Sequence, residues 1–217
     1  MSLFRLDASI MPATSASREL ADVVEEHWRS RHPSASVQHR HLGTDPLPAD
    51  AWAAAVTGSH TPAEQQTEAQ REALALAAEL VAELEGADAV LLAIPLYNFG
   101  VSQHVKTWMD LVIAGAGAGG RPLEGKPVVL ATVRGGAYGE GTPREGWDHS
   151  TAYLRRILED VWGADLTVVE REFTLVGVNP ALDDFKDLAA ELHEQALSAA
   201  SEAAHTFAEA TELPRAS

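Results

Sequence analysis

The sequence predicts an α/β protein: a three-layer sandwich with one parallel sheet and helices on both of its faces. Three observations predict it. Five runs of strand character, at 3–8, 36–42, 88–94, 127–133 and 166–173, alternate with segments of helical period. Two of them, Ala89 to Ile94 and Pro127 to Val133, are apolar almost throughout, as strands covered on both faces are. The 217 residues, 46% hydrophobic and 22% charged, suit one domain with a sizeable core.

The elements follow in order. The first strand carries Arg5 and Asp7, and a hydroxyl-rich turn of Ser9, Thr14, Ser15 and Ser17 leads out of it. Leu20, Val23, Val24 and Trp28 then fall on one helical face, which stops at Arg31-His32-Pro33. The strand at 36–42 is more polar, as an edge strand is. Residues 43–62 are irregular, punctuated by Pro46, Pro48, Gly58 and Pro62, with room for a short helix near 49–56. A long helix from about Ala63 turns Leu74, Ala77, Leu80, Val81 and Leu84 inward, and Gly86 ends it. After the buried strand at 88–94, Val101, Val105, Trp108, Met109 and Val112 mark a helix over 101–113. A loop at 114–125 leads to the strand 127–133. A helix at 148–162 buries Leu154, Ile157, Leu158 and Val161, and a last helix runs from about 181 to 210. No repeat or low-complexity linker divides the chain, so 1–217 reads as a single domain with a frayed tail at 211–217.

Composition excludes several functions. A formal charge of −16 opposes nucleic-acid and anionic-membrane surfaces. No apolar run approaches the ~20 residues that span a bilayer. The N-terminus enters a strand-like run without a signal-peptide pattern, which points to the cytoplasm. Zero cysteines exclude disulfides, thiolate zinc and iron–sulfur sites. His39 and His41 share a strand face, but no carboxylate motif completes a metal site, and none is expected. Gly115 to Gly120 matches a dinucleotide fingerprint in letters only, because it follows a helix rather than a strand. Gly120 to Lys126 fails as a phosphate loop, with Pro127 where Ser or Thr is required. Asp148-His149-Ser150 is contiguous and so no triad, and Asp148 suits the cap of the helix that follows.

Three loops at strand carboxyl ends carry the chemistry, where open α/β sheets bind ligands. The hydroxyls after the first strand meet a helix N-terminus, which suits a phosphate, with Arg18 as the nearby cation. Tyr97-Asn98-Phe99-Gly100 follows the third strand and offers aromatic faces and an amide to a planar heteroaromatic ligand. The alternative is that Tyr97 and Phe99 fold back into the core. Arg134-Gly135-Gly136 follows the fourth strand and lets backbone approach a flat ligand edge, with Tyr138 as a pocket wall. Together these loops describe a site for flavin mononucleotide (FMN) on a flavodoxin-like sheet of order 2-1-3-4-5.

The motifs Ser9 with Ser15-Ala16-Ser17, Pro95-Leu96-Tyr97-Asn98-Phe99-Gly100 with Lys106-Thr107-Trp108-Met109-Asp110, and Val133-Arg134-Gly135-Gly136 resemble those of the FMN-dependent NADH azoreductases, which are also quinone reductases. The resemblance spans essentially the whole chain. It implies a homodimer with FMN near the interface, NADH or NADPH as donor, and a quinone or azo compound as acceptor, reduced by a ping-pong hydride transfer. It implies that Ser9, Ser15, Ala16 and Ser17 hold the flavin phosphate. Leu96, Tyr97, Asn98 and Phe99 would cover the ring and ribityl chain, and Val133, Arg134, Gly135 and Gly136 would line the polar edge. The flavin does the chemistry, so no protein residue is assigned a catalytic proton transfer. Val133 stands where the family commonly has Ser. The small residues of 114–120 replace a loop that usually brings an aromatic, which implies a wider pocket and a bulkier polycyclic quinone. The competing functions are a flavodoxin-like electron-transfer or sensor module, and a specialised biosynthetic quinone reductase.

Overall fold

The computed structural model describes residues 1–212. Strand β1 (Ser2–Asp7) leads through helix α1 (Ala16–Arg31) to β2 (Ser36–His41). Helices α2 (Ala51–Ser59) and α3 (Glu68–Gly86) precede β3 (Ala89–Ala93), and α4 (Gln103–Ala116) connects it to β4 (Pro127–Val133). Helix α5 (Thr151–Arg155) continues as a π-helical turn, Arg156–Val161, before β5 (Asp165–Arg171), and α6 (Lys186–Glu212) follows. The strands pair in parallel in the order β2-β1-β3-β4-β5, the flavodoxin-like order expected of the sequence. The tail expected to fray lies, from 213 on, outside the described residues.

Side-chain alternation along the strands builds two cores. Phe4, Leu6, Val90, Leu92, Val128 and Leu130 pack toward α2, α3, α4 and α5. Leu3, Ala89, Leu91, Val129, Ala131 and Val169 pack toward α1 and α6. On the second face, Ala196, Ala200, Ala203, Ala204 and Ala208 of α6 give the fully buried Trp28 of α1 room to pack.

Local chemistry explains most boundaries. Ser15 caps α1, its Oγ accepting from Arg18 N at 3.2 Å. Thr67 and Gln70 form a reciprocal capping box at the start of α3, later than the expected Ala63, because 63–65 forms a separate 3₁₀ turn. Segment 43–62 holds the short helix it has room for, α2, at Ala51–Ser59 rather than 49–56. Helix α4 also outlasts its expected end, because Gly115 belongs to it. A Cβ there would lie 2.5 Å from the Ala77 carbonyl oxygen, so the glycine lets α3 and α4 approach closely.

Two expectations fail near α5 and β5. Val161, expected inside, is exposed, and Trp162 is buried instead, with its ring 5.5 Å from that of Trp108 in a T-shaped contact. The π-helical turn is the reason: its wider i→i+5 spacing rotates the following side chains off the helical period. Strand β5 stops at Arg171 rather than 173, and Phe173 takes a left-handed φ of 56°. The last helix likewise begins as a 3₁₀ turn at Pro180–Phe185 before α6.

Between α1 and α6, the rings of His27 and His205 meet edge-on at 4.0 Å, and His27 Nε2 is buried without a partner. Burial, then the charges of His205 and Arg31, hold His27 below the ordinary histidine range. The unfolded chain therefore binds this proton more readily, and its stabilising contribution is lost as pH falls below about 6.5. The melting temperature is therefore expected to be lower at pH 5.5 than at pH 7.5. His27→Gln should flatten that slope; an equal slope in the variant would clear His27 of the effect.

Candidate functional site

All three loops open at the carboxyl edge of the central strands. The first is the hydroxyl turn after β1. Ser9 is buried, and its Oγ accepts from Met11 N at 3.1 Å. Ser15 Oγ and Ser17 Oγ lie 3.1 Å apart at the start of α1, where the N–H groups of Ala16 and Ser17 have no intrahelical acceptor. A cavity of about 570 Å³ opens there, lined by Thr14, Ser15, Ala16, Arg18, Arg171 and Thr174 among others. Gly43 buttresses the turn from behind: a Cβ at that position would lie 2.0 Å from the Ser9 carbonyl oxygen.

The second loop joins the first through one hydroxyl. Tyr97 Oη lies 3.3 Å from Ser9 Oγ and accepts from Ile10 N at 3.2 Å, across almost ninety residues of sequence. This loop does not fold back into the core. Asn98 and Phe99 are exposed, Phe99 by 40%, and both hold left-handed backbone, with φ of 48° and 67°. Asn tolerates that region, whereas for Phe it is strained, and such strain gathers at ligand sites. Leu96 and Val133 by contrast are buried, Val133 in the core toward α1 and α6, and Leu96 N donates to Val133 O at 2.9 Å. Only their backbones are placed to meet a ligand.

The third loop is braced by charge. Arg134 Nε donates to Asp148 at 2.6 Å and Nη2 to Glu170 at 2.7 Å and Thr151 at 3.1 Å. Burial opposes its charge, yet hydrogen bonds and Coulomb attraction from Asp148 and Glu170 raise its pKa above the usual arginine value. Asp148 also caps α5, as expected, accepting from Ser150 N and Thr151 N. Burial resists its ionisation, but these bonds with those of the Thr151 hydroxyl and Arg134 hold it below the usual carboxylate range. The Arg134 side chain is thus committed to bracing the loop. Phe173 N and Leu175 N donate to Gly136 O and Gly135 O, and a Cβ on Gly135 would meet the Leu175 side chain at 2.6 Å.

Three residues escape the sequence reading. Arg171, at the end of β5, reaches the cradle: Nη1 pairs with Glu19 at 2.8 Å while Nε is buried with no partner. Trp147 meets Phe99 edge-on at 5.5 Å, and Arg144 lies 5.9 Å over the Phe99 ring and 5.6 Å over that of Tyr138. Short-range pattern gives no signal for them, because their places depend on how the 137–149 loop and β5 fold. His39 and His41 do not converge on a metal. His39 faces Glu25 at 3.5 Å, His41 Nδ1 accepts from Thr44 N, and no group of three metal-ligating side chains occurs among the described residues.

The arrangement suits FMN. The cradle offers hydroxyls and open helix N–H groups to a phosphate, with Arg18 and Arg171 on its wall, and the turn and glycine loop offer rings and backbone to a flat ligand. A 2-1-3-4-5 parallel sheet with its ligand loops at this edge defines the flavodoxin-like class. A family model described as a flavodoxin-like fold matches residues 1–209. An FMN-dependent NADH:quinone oxidoreductase of Parafrankia sp. (strain EAN1pec) is 39% identical over 191 residues, covering 86% of this chain and 90% of the relative. Another so named, from Kineococcus radiotolerans, is 42% identical over 215 residues, covering 94% and 99%. The crystal structure of an azoreductase from Bacillus anthracis str. Sterne superposes with a TM-score of 0.74 at 22% identity, covering 95% of this chain and all of that one, and attests the fold. The chain therefore belongs to the flavodoxin-like family of FMN-dependent NADH:quinone oxidoreductases.

Proposed function

We infer that this protein binds FMN and uses NADH to reduce quinones or azo compounds. The observation that carries the reading is the joining of the hydroxyl cradle to the aromatic turn through Tyr97 Oη, in a chain about 40% identical to oxidoreductases of that name. Bound FMN supplies the two-electron chemistry, by which hydride from NADH and a proton from solvent convert a quinone to a hydroquinone.

The protein's part is binding, orientation and access. Ser9, Ser15, Ala16 and Ser17 hold the phosphate, with Arg18 and Arg171 offsetting its charge. Asn98 and the backbone of Leu96, Tyr97, Gly135 and Gly136 meet the polar edge of the ring. Phe99, Tyr138 and Trp147 wall the space in which donor and acceptor follow one another, the ping-pong order. Arg134 and Asp148 act from behind by fixing the glycine loop. The whole chain serves as one FMN-binding domain, and a homodimer in the cytoplasm belongs to the same reading. No described helix is long and apolar enough to cross a membrane.

Oxidation of NADH by the purified protein, with menadione added and no other protein present, tests this function. Stoichiometric hydroquinone formation is expected. Reduction that requires a partner protein would favour an electron-transfer module instead. Asn98→Ala should lower turnover about tenfold, the scale of a lost hydrogen bond of 1–1.5 kcal/mol, without altering the fold. Unchanged turnover and flavin content would remove Asn98 from the site.

A further inference from the structure

Most basic side chains of this acidic protein are tied to carboxylates: Arg5, Arg18, Arg40, Arg134 and Arg171 all sit in ion pairs. Arg144 is not. Its guanidinium rests over the rings of Phe99 and Tyr138, with one hydrogen bond of 3.5 Å from Nη1 to Tyr138 Oη, and no carboxylate of the described residues lies within 4.0 Å. The nearby acids are otherwise engaged. Glu145 accepts from Gly141 N and Glu172 from Tyr138 N, both at 2.8 Å.

The place matters as much as the charge. Arg144 stands between the exposed face of Phe99 and a cavity of about 590 Å³. That cavity is apolar over Phe173, Leu175, Leu182, Phe185 and Leu188, with Glu172 as a carboxylate on its wall. Its volume lies within the ~300–1,000 Å³ of ordinary small-molecule sites. Of the five N–H donors of Arg144 only one, on Nη1, is bound to a side chain of the described residues, that of Tyr138, which leaves others to grip a planar anion with two bonds. Anions otherwise approach a chain of net charge −16 against its field, so a local cation at the mouth decides whether they enter.

We propose that Arg144 is a specificity-determining residue of the acceptor half-reaction, selecting planar aromatic acceptors that carry a carboxylate or sulfonate. The guanidinium takes the anionic substituent while the reducible rings lie in the space that Phe99, Tyr138 and Trp147 wall, which the apolar cavity adjoins at Arg144. The proposal rests on the oxidoreductase reading above and names the substrate class within it.

The test compares the FMN-loaded protein with its Arg144→Gln and Arg144→Lys variants, using 1,2-naphthoquinone-4-sulfonate and neutral 1,2-naphthoquinone at low ionic strength. Arg144→Gln should lower kcat/KM for the sulfonate, through KM, about tenfold more than it lowers that for the neutral quinone, as loss of a charge-assisted pair predicts. Arg144→Lys should recover part of the preference, and high salt should erase it in the wild type. Calorimetric binding of naphthalene-2-sulfonate, which cannot be reduced, should weaken by a similar factor in Arg144→Gln. An unchanged ratio of the two quinones, equal losses for both, or a rise confined to the KM of NADH would overturn the assignment. A wild type that turns over neither quinone would instead overturn the oxidoreductase reading, and the acceptor assignment with it.

Discussion

Ser15→Asp is expected to abolish FMN binding while leaving the fold intact. Aspartate caps helices as well as serine does, so α1 keeps its first turn. Ser15 Oγ now accepts from Arg18 N and lies 3.1 Å from Ser17 Oγ, in the cavity that Arg18 and Arg171 share. A carboxylate there would face a phosphate carrying about −1.5 to −2 charges. Like unit charges in contact repel by roughly 4 kcal/mol at an effective dielectric of 20, about a thousandfold in affinity. Arg18 already serves Asp22 at 3.7 Å, and Arg171 serves Glu19, so little positive charge remains to neutralise an added carboxylate. The variant should purify colourless, with a melting temperature within a few degrees of the flavin-free wild type. Full flavin occupancy in Ser15→Asp would move the phosphate elsewhere.

Arg5→Met is expected to cost the fold about 3–5 kcal/mol, the usual penalty for removing one partner of a buried ion pair. Arg5 is almost fully buried on β1, and it holds Asp7 at 2.9 Å, Glu25 at 2.8 Å and Asp22 at 2.7 Å. Methionine fills the space of the stem but leaves Asp7 and Glu25 buried with less compensation. Burial itself resists charge on Glu25, yet hydrogen bonds from Arg29 and Arg5 hold its pKa below the ordinary glutamate value. A depressed carboxylate stabilises the fold above its unfolded pKa, and that contribution is lost as pH falls through the folded one. The gap between wild type and variant should therefore narrow below a pH of about 4.5. Denaturant titrations at pH 7 and pH 4 read both effects. A loss below about 1 kcal/mol at pH 7 would mean that the remaining partners and water replace Arg5, as they do at surface pairs.

Much of this was legible in the residues because local chemistry and tertiary demand agree. The apolar runs of β3 and β4 can be strands only if both faces are covered, and Asp148 accepts from the first N–H groups of α5 as its place before that helix allows. The shared edge of the three candidate loops was legible because a parallel sheet puts every strand-to-helix turn on one side. What escaped depends on distant packing. Val161 and Trp162 exchange places because a π-helical turn shifts the period, and sequence pattern carries no mark of that turn. Val133 and Leu96 point inward because each ends or follows a strand buried on both faces. Arg171 and Arg144 join the site only once β5 and the 137–149 loop are in place, and neither lies in a recognisable motif. Whether Phe99 packs inward could not be read locally: the left-handed backbone at Asn98 and Phe99 turns the chain outward and leaves Phe99 exposed.

The most direct test of the central claim is an anaerobic absorption titration of the purified protein, first with FMN and then with NADH. One flavin bound per chain is expected, with visible bands that bleach on addition of NADH and return when a quinone is admitted. A protein that takes up no FMN, or whose bound flavin stays yellow in excess NADH, would contradict that claim. The fold would then stand, with the aromatic turn and its serines serving some other ligand.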